Sequence, residues 1–85
     1  MIKIIKFEAL WCGPCIRLKP IINKIQDKLN LEVENIDVDE DSDLIREYNV
    51  RSVPTLIFLK DNEFMEQTLG FKTENELMEI INKYV

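Results

Sequence analysis

Apolar and polar positions along the chain switch period several times, and each switch marks an element. Ile2, Ile4, Ile5 and Phe7 surround Lys3 and Lys6, a β-branched and aromatic run that predicts a strand over residues 2–8, covered on both faces. From Gly13 to about Leu29, Leu18, Ile21, Ile22, Ile25 and Leu29 recur at spacings of three and four among Arg17, Lys19, Lys24 and Lys28, which predicts an amphipathic helix. Pro14 suits its first turn, whereas Pro20 lies inside it and is expected to kink it. A second strand of about seven residues follows, alternating Leu31, Val33, Asn35 and Asp37 with Glu32, Glu34, Ile36 and Val38. A helix connects it to the first strand, so the two should run parallel.

Asp41 to about Tyr48 predicts a short helix capped by Asp41 or Ser42, with Leu44, Ile45 and Tyr48 as its apolar face and Asn49 at its end. Thr55–Lys60 and Glu63–Leu69 flank Asp61-Asn62, residues that tolerate positive φ, the mark of an antiparallel hairpin. Thr73-Glu74-Asn75-Glu76 is a capping box, after which Leu77, Ile80, Ile81 and Tyr84 fall at helical spacing. The order is strand, helix, strand, helix, strand, strand, helix: an α/β fold with a four-stranded mixed sheet flanked by three helices.

Eighty-five residues suit one small domain spanning residues 1–85. The chain has no His, which excludes imidazole bases, Ser-His and Cys-His pairs and His-ligated metals. Its two glycines, Gly13 and Gly70, leave no material for a dinucleotide fingerprint or a P-loop. Sixteen acidic against eleven basic residues give a net charge of -5, which argues against nucleic acid and anionic membranes as partners. No apolar run reaches the length of about 18 residues that a spanning helix needs, and no cleavage site follows the first strand, so a cytoplasmic monomer is the expectation.

Both cysteines lie in one stretch, Trp11-Cys12-Gly13-Pro14-Cys15, at the carboxyl end of a central parallel strand and the start of a helix. Open α/β sheets place their sites there. The helix dipole and free N–H groups should hold the Cys12 thiol below the ~8.5 of a free cysteine, making it a nucleophile near neutral pH. Cys15, one turn on and more buried, is set to attack a mixed disulfide formed at Cys12. Other uses are weaker. So short a loop gains only about 2 kcal/mol from a structural disulfide, and a zinc site would need two chains to supply four ligands. No metal and no cofactor beyond the cysteine pair is expected.

The Trp11 to Cys15 motif, Pro20 and Val53-Pro54-Thr55 resemble the thioredoxin family, and the likeness spans nearly the whole chain. The resemblance implies a thiol-disulfide oxidoreductase that reduces protein disulfides and is recharged by a thioredoxin-reductase-type electron donor. It implies that Cys12 attacks, that Cys15 resolves, and that Pro54 is a cis-proline beside them. Val53 would offer backbone hydrogen bonds to substrate. Gly70 matches a glycine of the same groove, and Trp11, Gly13, Pro14 and Phe71 would complete a contact surface without a sequence-specific pocket. Two alternatives remain: a glutathione-dependent, glutaredoxin-like reductase, against which Pro in the second intervening position argues, and a binding module that uses the groove without thiol exchange.

The departures from the family are informative. The family's N-terminal strand and helix have no counterpart ahead of Ile2, as in glutaredoxin-sized variants, which leaves the second strand at a sheet edge with Glu32, Glu34 and Asp37 to discourage pairing with another chain. Where the family has a buried Asp beneath the resolving cysteine stands Lys6, with Asn35 at the place of a nearby Lys and Glu8 at that of a Trp. Lys6 either extends past the strand end to solvent or points at the base of the cysteine loop and tunes it.

Overall fold

The computed structural model describes residues 1–40 and 43–85. The elements among them are β1 (Ile2–Glu8), α1 (Gly13–Leu29), β2 (Glu32–Asp37), α2 (Asp43–Glu47), β3 (Thr55–Lys60), β4 (Glu63–Leu69) and α3 (Glu74–Asn82). One mixed sheet runs in the order β2-β1-β3-β4, with β1 parallel to β2 and antiparallel to β3. The structure thus has the thioredoxin-like architecture that the pattern of elements and the resemblance implied.

Side chains of β1 alternate between two cores. Ile2 and Ile4 join Leu18, Ile22 and Ile25 of α1 and Leu77 and Ile81 of α3, while Ile5 and Phe7 join Ile36, Ile57 and Leu59 beneath Leu44, Ile45 and Tyr48. Each fully buried Ile or Leu stabilises the fold by roughly 1.5–3 kcal/mol. Covering both faces of one strand therefore fixes it from two sides.

Local signals set most element ends. Asn30, Asn49, Asp61 and Asn62 all take positive φ, the first ending α1, the second following α2 and the last pair forming the β3–β4 turn. Thr73 and Glu76 close the capping box in both directions. Helix α1 runs through Pro20 as a single element. Strand β2 is six residues long, one short of the expectation, because Leu31 turns into the core ahead of the ladder. Helix α2 spans five residues, and its expected caps, Asp41 and Ser42, lie outside the described residues. A register shift between Phe58 and Leu59, against Glu66 and Phe64 of β4, was not signalled by any Gly or Pro.

Helix α3 is tied to β4 by Glu66, whose Oε1 accepts from Tyr84 Oη at 2.7 Å and Lys83 Nζ at 2.6 Å. Those donors hold the Glu66 carboxyl below its ordinary value. A depressed carboxyl contributes stability above its unfolded value and loses it as pH falls through the folded one. Glu66→Gln should therefore destabilise the fold by about 0.5–1.5 kcal/mol at pH 7, and by clearly less at pH 3, in paired denaturant titrations. An equal loss at both pH values would show that the carboxylate charge is not what matters.

Candidate functional site

Burial of β1 delivers the chain to Ala9, whose carbonyl accepts from Cys12 N–H at 3.2 Å and so turns the backbone into α1. Cys12 is the N-cap of that helix, in an extended conformation, and its Sγ accepts the N–H of Cys15 at 3.2 Å. Sulfur thus occupies the place where a capping oxygen ordinarily sits. Pro14 fits the first turn because its missing N–H would have no partner there. Cys12 and Cys15 form a disulfide with Cα atoms 5.3 Å apart.

The two cysteines do not differ in burial as expected. Cys12 is 4% and Cys15 3% exposed, because Ala9, Val38 and Val53 pack around both. What lies open is the rim: Trp11 is 70% exposed, and Gly13 and Phe71 are exposed as well. Pro54 is buried and follows Val53 through a cis peptide bond. Its carbonyl accepts from Gly70 N–H at 2.9 Å, and Thr55 Oγ1 donates to Ser52 O at 2.7 Å, so two bonds brace the segment beside the disulfide. Gly70 has φ +81°, a conformation that an L side chain rarely adopts, although no atom would meet a Cβ there. Trp11, Val38 and Val53 share a cavity of 220 Å³ next to the cysteines.

Sequence reasoning missed several of the rim residues. Asp39, just past β2, accepts the Trp11 indole N–H on Oδ2 at 3.0 Å, and its own N–H donates to Asp37 Oδ1 at 2.9 Å. Arg17 lies over the Phe71 ring, 5.8 Å from its centroid. Asp39 lies beyond the predicted second strand and Arg17 among the polar positions of the predicted helix; only the tertiary fold reveals their partners.

Beneath the site, Lys6 is 2% exposed and its Nζ lies 3.0 Å from Oε1 of Glu8, which is 31% exposed. The ammonium therefore ends on a carboxylate rather than in open solvent. Alternation along β1 puts both on the side of Ile4 and α1, and a 230 Å³ cavity there is lined by Glu8, Ala9, Cys15 and Lys19. No group of three His, Cys, Asp or Glu side chains that could hold a metal ion occurs among the described residues, and no helix among them is long and apolar enough to cross a membrane.

A cysteine pair that caps a helix at the end of a central parallel strand defines a dithiol-disulfide exchange protein. The thioredoxin family profile matches residues 1–83. The chain is 40% identical over 81 residues to the thioredoxin of Bacillus subtilis, covering 93% of this chain and 78% of that one, and 41% identical over 81 residues to that of Listeria monocytogenes, covering 93% and 79%. Among solved structures, a mutant thioredoxin from Halobacterium salinarum superposes with a TM-score of 0.92 at 37% identity, over 98% of this chain and 74% of that one. A thioredoxin from Nicotiana alata gives 0.89 at 37% identity, over 98% and 72%. The chain belongs to the thioredoxin family and is a thiol-disulfide oxidoreductase whose redox group is its cysteine pair. Protein disulfides and a reductase are the partners of that family in general.

The Trp11–Asp39 bond has a direct test. Asp39→Ala should release the indole and lower Trp11 fluorescence anisotropy, while stability falls by less than about 1 kcal/mol because both groups are exposed. Unchanged anisotropy would mean that packing rather than this bond holds the ring.

Proposed function

We propose that residues 1–85 act as a single monomeric domain that reduces cytoplasmic protein disulfides through a Cys12/Cys15 cycle, carrying electrons from a thioredoxin-reductase-type donor. The observation that carries the roles is the Cys15 N–H on Cys12 Sγ at 3.2 Å. When the pair is reduced, that donor and the positive end of α1 favour a thiolate at Cys12 over one at Cys15, which lies a turn inside. Cys12 Sγ attacks one sulfur of a substrate disulfide; a new S–S bond forms, the old one breaks, and the first substrate thiolate leaves. Cys15, after losing its proton, attacks Cys12 Sγ, breaks the mixed disulfide and releases the second thiolate. Two electrons pass to the substrate, and Cys12 and Cys15 are left joined.

Substrate would lie across Trp11, Gly13, Pro14, Val53, Pro54, Gly70 and Phe71. Because Gly70 N–H and Thr55 Oγ1 already brace the Pro54 and Ser52 carbonyls, the backbone of Val53 is held ready for a peptide without rearrangement. Recognition through backbone and apolar contact suits many clients. Lys6 is the residue that tunes the pair: a cation behind the loop stabilises the thiolates of the reduced form, with Glu8 offsetting part of the effect.

Catalysed reduction of a protein disulfide with dithiothreitol as reductant tests the roles. Cys12→Ser should abolish it, and Cys15→Ser should accumulate a covalent adduct visible by mass spectrometry. Full activity in Cys12→Ser, or no adduct in Cys15→Ser, would reverse the assignment. Lys6→Met should raise the Cys12 pKa and lower the reduction potential by roughly 10 to 30 mV. Superimposable thiolate absorbance titrations of wild type and Lys6→Met would remove Lys6 from the site.

A further inference from the structure

Two openings, one of them beside the disulfide, share a wall. The 220 Å³ cavity that includes Trp11 and Val53 and a neighbouring one of 530 Å³ that includes Gln67 and Leu69 are both lined by Arg51 and Ser52. Arg51 is the only charged residue lining either of them among the described residues. That contrasts with the chain as a whole, which has sixteen acidic and eleven basic residues. Arg51 is exposed, and its one hydrogen bond among the described residues is a long contact from Nε to Asn49 Oδ1 at 3.4 Å. No carboxylate pairs with it among the described residues, so its terminal nitrogens remain available as the planar donor fork that suits a carboxylate.

We propose that Arg51 is a specificity-determining residue, which favours protein segments carrying an Asp or Glu within about three residues of the disulfide to be reduced. The inference rests on the reading that substrate backbone lies against Val53. Arg51 is two residues from Val53, and an extended chain advances about 7 Å over two residues, within reach of an arginine side chain. A substrate carboxylate two or three positions from the attacked cysteine would therefore meet the guanidinium. The protein's negative net charge repels an acidic partner at long range, so the contact sets selection at the groove rather than the encounter rate.

The test uses disulfide peptides identical except for Asp, Ser or Lys two and three residues to either side of the cysteine. For each, kcat/KM is measured at low salt with the wild-type protein, Arg51→Gln, Arg51→Glu and Arg46→Gln. Arg46 is an exposed arginine of α2, paired with Asp43, and controls for net charge. The wild type should prefer the better-placed Asp peptide over its Lys counterpart by about two- to fivefold, the range of an exposed ion pair. Arg51→Gln should bring that ratio close to one, Arg51→Glu should invert it, and Arg46→Gln should keep it. The preference should also shrink at high salt. A wild-type ratio of one on both sides, a preference that survives in Arg51→Glu, or an equal change in Arg46→Gln would overturn the proposal. If instead the Ser peptide were reduced no faster by wild type than by Cys12→Ser, the underlying oxidoreductase cycle would have failed, a result distinct from lost selectivity.

Discussion

Confinement of β1 is the constraint on which the rest of the structure depends. The strand is paired on both edges, to β2 and β3, and packed on both faces, so its backbone and its side chains from Ile4 to Phe7 are committed to the interior. Only its ends can do chemistry, and the carboxyl end is where Ala9 and Cys12 turn the chain into α1. The cysteines thus start from the most tightly held point of the sheet, and their loop inherits that order. The facing segment is held through β3, itself paired to β1, and by the Gly70–Pro54 bond. A shallow site built on two braced supports needs no ordering of its own before a partner is met.

Most of this architecture was legible in the residues because each level of the pattern agreed with the next. Capping-box residues preceded a helical apolar stripe, and Asp61-Asn62 separated two strand-like runs; the Cys pair fell where a strand became a helix. What escaped the reading has a common physical character. The register shift at Phe58/Leu59, which leaves Met65 of β4 between the partners Glu66 and Phe64, has no Gly or Pro to mark it. The near-equal burial of Cys12 and Cys15 depends on Val38, which arrives just past the end of β2, and on Val53, from the segment before β3. Likewise the Trp11–Asp39 bond spans 28 residues and the Arg17–Phe71 contact 54, so no local window contains both partners. Single-chain patterns report which face a residue takes, not which distant residue it meets there.

Lys6 illustrates the difference between locating a group and knowing its electrostatic effect. Its position on β1 dictates the face, and burial follows from the packing of α1 above it; a lone ammonium there would be costly to desolvate. Glu8, two residues on and on the same face, supplies the counter-charge at 3.0 Å, so period two creates both the problem and its compensation. Such a pair need not add stability, because the attraction roughly repays the desolvation of its members. Nor are its two members equally screened. Lys6 is enclosed by protein while nearly a third of the Glu8 side chain meets water, so solvent screens the carboxylate more than the ammonium. Unequal burial thus distinguishes two charges that their spacing of two residues makes look equivalent.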